Sequence, residues 1–96
     1  MRYHFHDGIV YTKICNVSLL VATRKVWDKF PAVKEISPLQ GALCKGIELG
    51  MNEEELLNYL IKLKKAKPEF IKKRYHIFLE NMLKYGYLIA ENDGNE

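Results

Sequence analysis

The chain predicts an α+β fold: a three-stranded antiparallel sheet at the N-terminus followed by three helices. Two patterns carry that expectation. Up to Thr23, β-branched and aromatic runs alternate with turn residues, and after Ile36 three apolar-periodic stretches have recognisable helix ends. Ninety-six residues make one domain with a single modest core, too short for a substrate domain plus a cofactor domain. The domain is expected to span residues 1–90, and residues 91–96, with Glu91, Asp93 and Glu96, are expected to form a flexible acidic tail.

The strands come first. Asp7-Gly8 is a hairpin signal between Tyr3–His6 and the run Ile9-Val10-Tyr11-Thr12-Lys13-Ile14, and Asn16 separates that run from Val17–Thr23. Together these predict a meander of three strands. The last of them is apolar on both faces, since Val17, Leu19 and Val21 point one way while Leu20 and Ala22 point the other. Either it is a central strand enclosed by neighbours, or it is a docking edge covered by something outside this small core. Between Arg24 and Ile36 the pattern breaks at Pro31, which predicts a loop that tucks Trp27 and Phe30 against the body.

The first helix opens at Ser37, with Pro38 in the first helical position, and stops at Gly50; Leu39, Ala42, Leu43 and Ile47 form its apolar stripe. Gly41 and Gly46 cost about 1 kcal/mol each relative to alanine inside a helix, which is tolerable where a neighbouring element approaches closely. Asn52 caps the second helix with Glu55 three residues on, a variant of the capping box, and Leu56, Leu57, Leu60 and Ile61 face inward. The third helix runs from near Pro68 to Gly86, which supplies the left-handed residue that ends it. Its apolar residues Ile71, Tyr75, Phe78, Leu79, Met82, Leu83 and Tyr85 sweep through about 160°, more than the ~100° that one core demands. Such an arc either sinks deeply into the core or serves two surfaces.

Catalysis is not expected. His4, His6 and His76 have no carboxylate or cysteine at ligand spacing, the two cysteines, Cys15 and Cys44, form no CxxC, and no glycine-rich phosphate loop lies between a strand and a helix. The glutamates at 53–55 are a capping device. No cofactor or metal is expected. No apolar run approaches the ~20 residues that span a bilayer, and Met1–His6 lacks the apolar core of a signal peptide, so a cytoplasmic address with reduced thiols is expected and no membrane partner.

Charge is uneven. Lys62, Lys64, Lys65, Lys67, Lys72, Lys73 and Arg74 hold seven of the fifteen basic residues, in a chain of net charge +3. This run is either a solvated helix end or an anion patch for an acidic peptide or a phosphate backbone. A winged-helix DNA-binding regulator is the alternative that three helices and a small sheet suggest. Nucleic acid is nevertheless the less expected partner, because no surface rich in Arg, Asn or Gln accompanies the lysines to read base edges.

The Ile36-Ser37-Pro38-Leu39 helix start, the junction Ile47 to Glu55 and the terminal pattern Phe78-Leu79-Glu80-Asn81-Met82-Leu83-Lys84-Tyr85-Gly86-Tyr87-Leu88-Ile89 resemble the PqqD family, from about Phe5 to Ile89. That family contains the stand-alone recognition elements (RREs) for precursor peptides that are made on the ribosome and then modified. The resemblance implies a winged-helix-like fold and a non-catalytic role. It further implies that the leader of a precursor peptide binds as an added strand beside the third strand, against the last helix, for delivery to a separate modifying enzyme, by analogy a radical S-adenosylmethionine (SAM) maturase. On these residues the peptide would meet Leu19, Leu20, Val21, Ala22 and Thr23 of the strand and Tyr75, His76 and Leu79 of the helix, with Lys72, Lys73 and Arg74 holding leader carboxylates. The segment 24–36 is longer than the family leads one to expect.

Overall fold

The computed structural model of the chain describes residues 2–91. Its strands are β1 (Arg2–Phe5), β2 (Ile9–Ile14), β3 (Val17–Ala22), β4 (Val33–Ile36) and β5 (Leu88–Glu91), and its helices are α1 (Pro38–Glu48), α2 (Glu53–Lys64) and α3 (Pro68–Lys84). The α+β class and the order of sheet before helices hold. The membership of the sheet differs from the sequence expectation: β2, β3 and β4 form the three-stranded antiparallel sheet in that order, while β1 pairs with β5 in a separate two-stranded clasp.

Asp7-Gly8 does make a turn, with the Ile9 amide donating to the His6 carbonyl at 2.9 Å and Gly8 at φ 96°. It reverses the chain without pairing its flanks. Tyr3 lies opposite Ala90 and Phe5 opposite Leu88, and the His6 amide extends this ladder to the Tyr87 carbonyl at 2.8 Å. Local turn chemistry announces a reversal; which strand becomes the neighbour is settled by burial of Tyr3 and Leu88 against the helices. The tight hairpin is instead β2–β3. Its two loop residues, Cys15 and Asn16, have φ of 51° and 67°, the left-handed pair that a two-residue turn matching strand twist requires. At the other end Glu91 belongs to β5 opposite Arg2, so the expected tail contracts to residues 92–96, which lie outside the described residues.

The expected loop 24–36 is also corrected. After one 3-10 turn at Arg24–Val26 the chain returns as β4, with Val21 opposite Val33 and Ser18 opposite Ile36. Phe30 is buried, its ring 4.6 Å from Tyr87 and 5.3 Å from His6. Trp27 stays half exposed and donates its indole N–H to the Ala22 carbonyl at 2.8 Å. Because β4 occupies one side of β3 and β2 the other, β3 is the central strand and has no open edge. The expectation that a guest strand adds to Val17–Thr23 is therefore overturned: those backbone groups are already spent on neighbours.

The helices follow their sequence signals. Ser37 and Gln40 complete a reciprocal capping box on α1, as Asn52 and Glu55 do on α2. Gly86, at φ 86°, ends α3 with the Tyr87 amide on the Met82 carbonyl at 2.9 Å and its own amide on Leu83, the paired bonds of a Schellman ending. Leu20, Leu43, Leu56, Leu60, Ile71 and Tyr75 form the fully buried centre. There α1 lies against the inner face of β3, and Gly41 is what allows it: a Cβ at that position would overlap the Ser18 hydroxyl. Among the described residues no helix is long and apolar enough to cross a membrane.

Gly41→Ala should consequently lower stability by about 1–3 kcal/mol in urea denaturation, overpacking outweighing the ~1 kcal/mol that alanine gains in a helix. Ser18→Gly in the same chain should restore part of the loss. Additive losses in the double variant would show that the two positions do not meet.

Candidate functional site

With β3 enclosed, the open edges of the sheet are β2 and β4, and it is β4 that shares a cavity with α3, through Lys34 beside Phe78, Asn81, Met82 and Tyr85. The Ala22 amide donates to the Ala32 carbonyl at 2.9 Å, and Ala32 is the residue opposite Ala22 when the β3–β4 register is continued by one pair. In an antiparallel ladder hydrogen-bonded and non-bonded pairs alternate, so Lys34 and Ile36 direct their backbone groups to β3. Val33 and Glu35 direct theirs outward. Two N–H donors and two C=O acceptors thus line an edge with no further strand beyond it among the described residues.

Beside this edge runs α3. Phe70, Arg74, Ile77, Asn81 and Tyr85 fall within about 80° of arc, a stripe separate from the buried face of Ile71, Tyr75, Leu79 and Met82. Phe70, Ile77 and Tyr85 are large and exposed. The Arg74 guanidinium lies 5.3 Å from the centre of the Phe70 ring, which holds a positive charge on an otherwise apolar wall. A cavity of about 410 Å³ lies between this stripe and the start of α1, lined by Pro38, Leu39, Leu43, Phe70, Arg74, Ile77 and Phe78, with Tyr75 at its floor. A second, of about 200 Å³, continues it toward Lys34, Tyr85 and Tyr87; the two share Gln40, Phe78 and Asn81. From Phe70 to Tyr85 the helix rises roughly 22 Å, the span of about seven extended residues. The Lys34 ammonium sits 5.4 Å over the Tyr87 ring at the far end.

The residues expected from sequence are divided by this geometry. Arg74 and Tyr75 line the groove. Leu20, Ala22 and Leu79 are core, with 1%, 4% and 5% of their surface exposed, and line neither cavity of the groove. Leu19 and Val21 face the outer side of the sheet, and Thr23 lies beyond the end of β3. Lys72 and His76 project roughly 130–170° around α3 from the stripe, while Lys73 sits on its shoulder. Missed were Phe70, Ile77, Asn81 and the whole of β4. The i, i+4, i+7, i+11 spacing of 70, 74, 77 and 81 was a usable signal, masked by the lysines between them; β4 gave little, because two of its four residues are charged.

Other groups that bear chemistry are dispersed. Among the described residues no three of His, Cys, Asp and Glu converge to hold a metal ion. His4 Nδ1 is 2.7 Å from Glu91 Oε2 and His6 Nδ1 is 2.7 Å from the Asp7 carbonyl. Lys25 donates to the Asp7 carboxylate at 2.7 Å, and that hydrogen bond holds the carboxyl below its ordinary range. Burial raises the Tyr75 phenol, with Glu53 and Tyr3 adding to it; the Glu53 carboxylate lies near its hydroxyl, but the hydroxyl has no hydrogen-bond partner within 3.5 Å among the described residues.

Two outcomes are expected. Burial, reinforced by Glu48, pushes the Cys44 thiol up to about 12, whereas Cys15 is exposed in the hairpin loop; at pH 8 a disulfide reagent should titrate one thiol per chain quickly and the second after unfolding in guanidinium. Rapid titration of both would contradict the burial of Cys44. Tyr75→Phe removes a hydroxyl without a partner and should leave the unfolding free energy unchanged or higher, while Tyr75→Ala should lose about 3–5 kcal/mol.

No family model matches the chain, and no curated protein matches it. A solved structure that does match is that of TbiB1 in complex with the TbiA(beta) leader peptide, with a TM-score of 0.74 over 97% of this chain and 100% of that one at 14% identity. At that identity the likeness establishes the fold: the three-stranded sheet, the three helices and the added strand pair of this chain are similar to those of a protein solved with a leader peptide bound.

Proposed function

We propose that this chain is a non-catalytic recognition protein of ribosomally made, modified peptides, of PqqD-like RRE type. It binds the leader of a precursor peptide and delivers it in the cytoplasm to a separate modifying enzyme, a radical SAM maturase by family analogy. The observation that carries the proposal is the outward-facing backbone of Val33 and Glu35 beside the apolar stripe of α3. A guest strand gains its backbone hydrogen bonds from the edge and its side-chain selectivity from the groove. The third strand of the sheet is β4, so the mode implied by the family resemblance is retained while its place moves from Val17–Thr23 to Val33–Ile36.

The groove defines a kind of guest. Alternate side chains of an added strand face the cavity under Phe70 and Ile77, which takes large apolar groups, and Arg74 and Lys34 at separate points of the same groove take carboxylates. Lys72 and Lys73 contribute long-range attraction for an acidic leader more than contact. The likeness to a protein solved with a leader peptide supports the reading.

The test is selection from a display library of randomised 20-residue peptides, followed by binding measurements on the enriched sequences. Micromolar or tighter dissociation constants are expected, about −8 kcal/mol or better. Glu35→Pro removes an outward donor that β3 does not use and should weaken binding at least tenfold; Glu35→Ala should not. Ile77→Asp should cost a similar factor with little change in melting temperature, as the side chain is exposed in the free protein. No enriched peptide, or binders indifferent to both changes, would refute the proposal. Tighter, steeply salt-dependent binding of duplex DNA in the same assay would favour the regulator reading instead.

A further inference from the structure

The other edge of the sheet, β2, carries a site of different character. The Thr23 amide donates to the Gly8 carbonyl at 2.7 Å, and Gly8 is the residue opposite Thr23 when the β2–β3 register is continued by one pair. By the alternation of an antiparallel ladder, Val10, Thr12 and Ile14 spend their backbone groups on β3, while Tyr11 and Lys13 direct theirs away from it. Among the described residues no strand lies beyond them. Tyr11 and Lys13 stand opposite Leu20 and Ser18, on the helix side of the sheet, where a cavity of about 710 Å³ lies between β2, α1 and α2.

That cavity is cationic. Lys13 of β2, Lys45 of α1 and Lys64 of α2 line it, against the single carboxylate of Glu48, which Lys45 meets at 3.3 Å. Only the tertiary fold brings these three lysines together. Tyr11 and Ser18 add two hydroxyls 3.5 Å apart, which make one hydrogen bond between them and so leave one O–H to give.

We propose that β2 takes an acidic, extended segment of a partner protein as an added strand, with carboxylates on alternate residues entering this cavity. Edge and cavity select that occupant together. The lysines and the spare hydroxyl offer charge-assisted hydrogen bonds to carboxylates. The outward carbonyls of Tyr11 and Lys13 need N–H donors, which a peptide backbone supplies and a phosphate backbone, bearing acceptors alone, does not. A second copy of the chain is disfavoured as well, because pairing β2 with its own counterpart sets two cationic cavities side by side. Side chains on one face of a strand recur about every 7 Å, so acidic residues at every second position present successive carboxylates to the lysines. Since β2 and β4 flank β3 on opposite sides, this site and the α3 groove can be filled at once, and neither depends on the other.

Titration of the whole isotope-labelled chain with an end-capped peptide of five Thr-Glu repeats, followed by nuclear magnetic resonance, tests this. The amides of Tyr11 and Lys13 should shift, and their hydrogen exchange should slow at least tenfold at saturation, a readout that needs no variant to fold. A dissociation constant on the order of 100 µM is expected at low ionic strength, rising with salt. Binding should weaken at least tenfold in the double variant Lys45→Glu, Lys64→Glu, and by a similar factor in Lys13→Pro, which removes an outward donor that β3 does not use. Glu35→Pro, on the opposite edge, should leave it unchanged, which separates this site from the α3 groove. Absence of binding would overturn the proposal. So would binding without slowed exchange at Tyr11 and Lys13, or inorganic phosphate or duplex DNA binding there as tightly as the peptide, each of which would reduce the site to an anion patch.

Discussion

The proposed peptide groove depends on β4 being tied along one side only among the described residues. Its bonds to β3 fix which of its backbone groups are spent and which are free, and the alternation of the ladder leaves no latitude: with the Ala22–Ala32 bond in place, Val33 and Glu35 must face outward. The capping box at Ser37 then starts α1 one residue after the strand ends, which brings Pro38 and Leu39 to the mouth of the groove. A free strand edge is a hazard in most small proteins. Here it is only four residues long and carries Lys34 and Glu35, two of the devices that keep such edges from pairing indiscriminately.

Helix α3 works for two surfaces because its residues divide into adjacent stripes. Ile71, Tyr75, Leu79 and Met82 close the core, and Phe70, Arg74, Ile77, Asn81 and Tyr85 stand a third of a turn away. The sequence pattern showed a wide arc but assigned the peptide contact to Tyr75, His76 and Leu79, of which Tyr75 and Leu79 are buried at 1% and 5% exposure. Breadth was legible; direction was not, because periodicity has no origin until a neighbouring element supplies one. The stripe that faces the groove includes a cation, and averaging polarity over the helix hides an apolar wall that has Arg74 within it.

The same division explains what else could be read in advance. Both glutamate- and glutamine-closed caps, Gly86 and the two-residue reversal at Cys15-Asn16 are local, each satisfied by atoms a few residues away. The pairing of β1 with β5 and the existence of β4 are not local. Tyr3 and Ala90 become neighbours only once three helices have been laid between them, and Val33-Lys34-Glu35-Ile36 becomes a strand because β3 offers it a ladder, not because its residues favour one. The strand that is apolar on both faces was informative for a different reason than expected. Its inner residues serve the core, and its outer ones reveal that a 96-residue chain has one layer of helices to spend on two sides of a sheet.

The clasp of β1 with β5 has a kinetic side. It closes a loop of almost the whole chain, so its formation carries the largest chain-entropy cost of any pairing in the molecule and belongs late in folding, after the β2–β3 hairpin and the capped helices have formed. Tyr87 leads directly into β5, packs at a tilt against Phe30 and underlies Lys34, so the far end of the groove rests on the last piece to assemble. The groove thus has a permanent end at Phe70 and a conditional one at Tyr85, and the nascent chain acquires a full-length groove only when its final strand has arrived.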